Sequence, residues 1–355
     1  MKEREYNLDL LRIIAALFVI IIHVIVRPLV ISFEQPYHSI DFLICSGIKG
    51  FVQTAVPIFV LLSGAFILTQ NKNKNFSYFY KKTFTKIILP TLIAAIIYYY
   101  FSLVLQVIKD HLGNTISSTA YNWLPIKILF ASPFYHLWYM YMLIGLYLAV
   151  PLLIKLKERL GEKWFFIIGI MLLIMAIFIE PYNRSIWPIR FINYLGYFIL
   201  GHSIHYYKDY FRAKWLFLST YLIASILATI MTYFIVIHHT FSDINKSLMF
   251  YDNLSPFMIV SSLSLYLFFL NLPSKRSKIH RFTKHTFNIY ILHAGILMLI
   301  DQTLNNILHI SINVIIYIPL LSLIIFILSY IGSLLLNKLI YKFQALRFIH
   351  IHSVR

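Results

Sequence analysis

The chain has 355 residues, 60% of them hydrophobic and only 12% charged, with a mean hydropathy of +0.76, whereas an ordinary soluble domain is about a quarter charged. That composition excludes a water-soluble globular enzyme. The formal net charge of +18 sits in short basic gaps between apolar runs, so it reads as membrane topology and not as nucleic-acid binding. A single cysteine, Cys45, leaves no internal disulfide and no cysteine-type zinc site.

A membrane helix needs about 20 mostly apolar residues, and ten candidates follow in chain order: 8–27, 50–69, 87–108, 134–154, 164–180, 189–206, 215–237, 254–272, 286–308 and 313–337. The first is too long for a signal-peptide core and carries Arg12 and His23, so it reads as a retained helix. Of the 31 Lys and Arg residues, 23 lie in the two terminal segments and four alternate gaps, 7 lie in the other gaps, Lys49 among them, and Arg12 lies inside a span. By the positive-inside rule this places both termini in the cytosol. The expectation is an all-α polytopic membrane protein of the cell membrane, about ten transmembrane helices in one bundle. It is read as a single domain over 1–355, with a helical core at about 7–337 and a basic cytosolic tail at 338–355. The longest outer gap, 109–133, carries Gly113, Asn114, Ser117, Ser118 and Pro125, and no gap is long enough for a second domain.

Ionisable side chains at membrane depth are costly and mark functional sites by default. In the first span, Asp9 and Arg12 are three apart and can pair. Arg12 and His23 are eleven apart, which puts them on one helical face about 16 Å apart. A snorkelling arginine and a histidine bonded to a neighbouring helix would also account for this pattern. In the second span Ser63 and Gly64 interrupt an apolar run, and small residues there ordinarily serve close packing. Lys82 and Lys86, four apart after the second span, can present two ammonium groups to phosphates or simply anchor the helix at the interface. The fourth span opens with His136, Trp138, Tyr139 and Tyr141; an aromatic belt explains the rings but not His136. The ninth holds Tyr290 and His293, another intramembrane histidine, and His202 and His205 near the end of the sixth carry less information.

These elements together resemble the acyltransferase family 3 of integral-membrane acyltransferases. The first-helix signature of Leu-Asp-x-Leu-Arg, ten residues and then His is matched by Leu8, Asp9, Leu11, Arg12 and His23. The Ser-Gly motif of helix two looks like Phe59 to Phe66 with Ser63 and Gly64, and the late Tyr-Leu-x-His motif is similar to Tyr290 to His293. The resemblance runs from residue 7 to about 335 and is to the branch that includes surface-polysaccharide O-acetyltransferases. It departs from the family where Lys82 and Lys86 stand in place of arginines, and where Leu143 and Ile144 occupy a stretch of helix four that is often acidic. The single-domain reading expects no Gly-Asp-Ser esterase-like domain, of the kind two-domain members carry, after the last helix.

The resemblance implies transfer of an acyl group, most often acetyl, from cytosolic acyl-CoA to a hydroxyl of a glycan or lipid-linked glycan at the cell surface. His23 would be the general base or transient acyl carrier, with Arg12 on the CoA phosphates or the thioester oxyanion and Asp9 orienting Arg12. Lys82, Lys86 and Ser63 would join Arg12 in donor binding, and His136, Trp138, Tyr290 and His293 would line the acceptor side and the conduit. Acetyl-CoA is a substrate here; no permanently bound cofactor or metal is expected, and membrane lipid is the surrounding partner. Counting rise per residue puts Arg12, Ser63 and His293 in the inner third and His23 and His136 toward the outer third. The competing reading is a transporter or flippase for a glycan or small metabolite. The sequence argues against it by showing neither a buried carboxylate besides Asp9 nor a pair of broken helices.

Overall fold

The computed structural model describes residues 4–34, 40–111, 134–183, 187–238, 243–303 and 313–353. The outer gap with Gly113, Asn114, Ser117, Ser118 and Pro125 lies outside them. Helix makes up about 87% of the structure, with no strand among the described residues. Among the described residues twelve longer helices follow one another: α1 (Tyr6–Glu34), α2 (Ile40–Val52), α3 (Ala55–Ile67), α4 (Phe76–Thr83), α5 (Leu89–His111), α6 (Trp138–Leu160), α7 (Glu162–Asn183), α8 (Leu195–Tyr206), α9 (Lys214–Ile237), α10 (Pro256–Leu270), α11 (Thr286–Gln302) and α12 (Val314–Ser353). Among the described residues eight stretches are long and apolar enough to cross a membrane, and Thr286–Asp301 is a shorter apolar helix.

The outward surfaces explain why. In α1 the stripe Leu8, Leu11, Ala15, Val19 and Ile20 is buried, yet Val26 and Ile31 on other faces remain 44% and 46% exposed. A largely apolar helix that leaves large apolar side chains uncovered on other faces has lipid for its second solvent. The same holds for α12, whose Ile315, Ile316 and Leu323 are exposed. At 40 residues α12 is about 60 Å long, so the basic segment beyond 338 continues the last spanning helix.

Several boundaries differ from the sequence expectation. The second span begins at Ile40 and not at 50, so Lys49, counted in an outer gap, stands inside a helix. That span is interrupted between Val52 and Ala55. The sixth is also divided, a 3-10 turn over Trp187–Tyr194 preceding α8. The fourth starts at Trp138, with His136 in the preceding turn. A wide π turn, Phe84–Ile88, precedes Pro90, because proline cannot donate to the Lys86 carbonyl and its ring pushes that oxygen away. Helix ends follow ordinary capping: the Asn75 side chain accepts from the Tyr78 amide at 3.0 Å, and Ser255 accepts from the Met258 amide with Pro256 at the first turn. Gly161, at φ +81, supplies the left-handed turn from α6 to α7.

The contacts divide the chain into two compact units. One comprises 1–55, 222–252 and 272–355, and the other 56–221 and 253–271. In the first, α1 packs with α2, α11 and α12 around a core of Ile20, Val24, Ile25, Phe42, Cys45, Val52, Ile289 and Leu297. Near one end, Arg27 pairs with Asp301 at 2.7 Å and Tyr317 donates to the same carboxylate, joining α1, α11 and α12. In the second unit α7 packs along α8, and α3 meets α8 through two glycines. A Cβ on Gly64 would overlap the Phe198 carbonyl oxygen, and one on Gly201 would overlap that of Leu61. The small residues of the second span thus let two backbones touch.

This contrast is measurable by thermal unfolding in detergent. Gly64→Ala and Gly201→Ala should each lower stability by about 1–3 kcal/mol through overpacking. Gly47→Ala, in helix α2 with nothing within 4 Å of the added carbon, should leave it unchanged or raise it. Equal behaviour of all three would contradict the backbone contact.

Candidate active site

In the first unit the fold brings two intramembrane histidines together. His23 of α1 and His293 of α11 have ring centroids 5.2 Å apart at an interplanar angle of 34°. His293 is fully buried and His23 half-buried. The apolar neighbours of each along its own helix, Ile20 and Val24 for His23 and Ile289 and Leu297 for His293, belong to one core cluster. The His293 Nδ1 lies 2.5 Å from the Tyr290 carbonyl oxygen. A carbonyl can only accept, so Nδ1 carries the proton and Nε2 the lone pair. The Tyr290 ring stands 5.5 Å from the same imidazole. One end of the Tyr-Ile-Leu-His motif therefore sets the tautomer of the other, a turn away on the same helix.

This corrects the depth assignment. Counting residues from the ends of apolar runs puts His293 in an inner layer and His23 in an outer one, yet their rings adjoin. The reason is that α1 runs on to Glu34, seven residues past the end of the expected span 8–27, so His23 lies deeper than that span allows. Arg12 lies on α1 eleven residues below His23, half-buried, about 16 Å along the axis. The spacing pairs Asp9 with Arg12. The structure gives the Asp9 carboxylate a close partner elsewhere: Arg4 Nε donates to it at 2.6 Å, and Arg4 Nη2 donates to Thr283 at 3.2 Å. Asp9, with a side chain only 6% exposed, thereby holds the approach to α1 against the turn before α11.

The other expected residues lie in the second unit. Ser63 is half-buried on α3 beside Gly64. Lys82 on α4 lies 6.0 Å from the Tyr78 ring, and Lys86 is exposed on the π turn. His136 is fully buried in an aromatic box, its ring 4.9 Å from Tyr98 and 5.5 Å from Phe134, both edge-on. The Trp138 face is covered by the Arg190 guanidinium at 4.2 Å.

Arg190 was not singled out from the sequence, nor was its partner Glu180. Both are buried, 3.6 Å apart. The expectation that Asp9 is the only buried carboxylate is therefore overturned, although Glu180 is held in an ion pair. A second cluster joins α3, α6, α7 and α8: Lys157 donates to the Leu68 carbonyl at 2.9 Å and stands 3.8 Å from Glu162, which lies 3.0 Å from His202 Nε2. An acid at a span end next to a basic residue one helix away was the available signal for both. Among the described residues no group of His, Cys, Asp and Glu has the arrangement of a metal site.

A family model described as an acyltransferase domain matches residues 5–336. The chain belongs to the acyltransferase 3 family. The matched region contains every expected site residue in both units. Among curated proteins, one from Enterococcus faecalis described as an amino-acid racemase is 27% identical over 96% of this chain, which spans 46% of that protein's length. No solved structure matches. Within this acyltransferase 3 chain, the motifs that carry the resemblance fall on two different sets of helices: Arg12, His23, Tyr290 and His293 on one, and Ser63 with Gly64 on the other.

The Glu180–Arg190 pair generates a double-mutant test. Arg190→Met alone strands a buried carboxylate and should cost about 3–5 kcal/mol, whereas the Arg190→Met, Glu180→Leu pair should recover most of it. Thermal unfolding in detergent reads both. Additive losses would show that the two residues act independently.

Proposed function

We propose that this chain is a membrane O-acyltransferase, moving an acyl group, acetyl first among the candidates, from cytosolic acyl-CoA to a hydroxyl of a cell-surface glycan or a lipid-linked glycan precursor. The observation that carries the reading is the adjoining pair His23 and His293 inside a helical, lipid-facing chain whose family is that of an acyltransferase domain. Acyl transfer to an alcohol needs a group that accepts the hydroxyl proton near neutral pH, and imidazole does this. His23 takes that role, with His293 as the neighbour that positions it or relays its proton. Arg12, about 16 Å lower on the same helix, takes the CoA phosphates. Asp9 acts on this arrangement by fixing the start of α1 through Arg4.

The orientation with both termini in the cytosol rests on the 23 to 7 division of basic residues. A cysteine placed at Asp243 should react with an impermeant thiol reagent on intact cells, and one at Ser277 should not. Reversed labelling would reverse the direction of transfer.

A transporter for a glycan or metabolite is the second reading. The interruptions at 53–54 and before Leu195 favour it more than the sequence did, since broken helices are common at transport sites. Chemistry separates the two. Cells expressing wild-type protein should move labelled acetyl into a glycan fraction, and His23→Ala at equal membrane abundance should lose this by a factor of about 10² or more. Arg12→Lys should be milder than Arg12→Ala if a point charge suffices, and as severe if a planar fork is needed. Full transfer by His23→Ala would remove His23 as the base; no transfer by wild-type protein, with export of a glycan, would favour transport.

A further inference from the structure

Acyl transfer requires a second group besides a base: something must carry the negative charge that develops on the carbonyl oxygen. Arg12 is poorly placed for this, because about 16 Å of helix separates it from His23. Helix α2 provides a different cation. Phe42, Cys45 and Val52 are buried on one face of α2, in the same core cluster as Ile20, Val24 and Ile25 of α1 and Ile289 and Leu297 of α11. Lys49 is seven residues from Phe42, four from Cys45 and three from Val52, so its side chain leaves the helix on that face. The lipid-facing positions of α2, Ile40 and Leu43, are 70% and 41% exposed. Lys49 is half-buried.

Packing agrees. The His23 and His293 rings adjoin, and the core cluster around them also holds Cys45 and Val52, which lie about a turn on either side of Lys49. Close approach of α2 to α9 at the next residue, where a Cβ on Gly50 would come within 2.8 Å of the Ser225 carbonyl oxygen and overlap Thr229 Oγ1, fixes the rotation of α2 that aims Lys49 at α1.

We propose that Lys49 is a further catalytic residue, the cation that stabilises the oxyanion formed when an acceptor hydroxyl attacks the thioester beside His23. The assignment rests on the acyltransferase reading. The acceptor oxygen bonds to the carbonyl carbon and its proton passes to His23. The carbonyl π electrons move onto oxygen, facing the Lys49 ammonium. As the carbonyl re-forms, the carbon–sulfur bond breaks, and the sulfur leaves with the electron pair and takes the proton to give the CoA thiol and the new ester. A lysine in a low-dielectric layer serves here because an ion acts there at greater strength than in water.

The test uses full-length protein in membranes, with radiolabelled acetyl-CoA as donor and the host glycan fraction as acceptor. Lys49→Met should retain the wild-type KM for acetyl-CoA and reduce the maximum rate by a factor of about 10²–10³, the usual loss for one oxyanion donor. Lys49→Arg, which keeps the charge, should recover part of the rate. Should Lys49→Met fail to accumulate, the comparison of Lys49→Arg with Lys49→Gln at matched thermal stability reads the same difference. A Lys49→Met rate within threefold of wild type, or a raised KM with an unchanged rate, overturns the assignment while leaving the acyltransferase reading intact if His23→Ala is inactive. Absence of transfer by the wild-type protein would instead remove the reading on which it rests.

Discussion

Hydrocarbon offers no hydrogen bonds, so every backbone amide and every charge that this chain takes into the membrane has to find its partner within the protein. Helix satisfies the backbone, which is why the described chain is almost entirely helical. The side chains are satisfied in small closed groups: Arg4 with Asp9 and Thr283, Arg27 with Asp301 and Tyr317, Lys157 with the Leu68 carbonyl and Glu162, and Arg190 with Glu180 over the Trp138 ring. Each group joins helices distant in sequence. In a lipid-facing bundle, where apolar contact with a neighbouring helix gains little over contact with a lipid tail, such polar junctions and close backbone packing carry the specificity of assembly.

Glycine supplies the second half of that economy. Gly64 and Gly201 meet the backbone of the partner helix reciprocally, and Gly50 brings α2 onto α9. These contacts set helix rotation, and rotation decides which side chains point inward. Ser63 beside Gly64, and Lys49 beside Gly50, owe their direction to a neighbour without a side chain. The same motif thus serves packing directly and the proposed site indirectly.

The group of His23, His293 and Lys49 gathers in an apolar surround two imidazoles and an ammonium, which between them can accept a proton and stabilise an anion.

The sequence by itself determined the class of the molecule, because composition, run length and charge asymmetry are properties of the membrane as solvent and need no tertiary information. It also exposed Arg12, His23, Ser63, Tyr290 and His293, since polar residues in apolar runs stand out one at a time. Pairings did not show. Asp9 was read with its neighbour in sequence, Arg12, and its further partner Arg4 emerged only where the chain turns into α1. His23 and His293 were assigned to different layers, because depth was counted from the ends of apolar runs and α1 continues seven residues past its expected end at 27. Lys49 was read as a loop charge, because Ser46, Gly47 and Gly50 around it do not reveal a helix that already runs from Ile40. Glu180 and Arg190 each looked like an interfacial charge, and only packing made them a buried pair. Partnership depends on helix rotation and depth, which glycine contacts and buried ion pairs set between segments far apart in the chain, and local pattern carries neither.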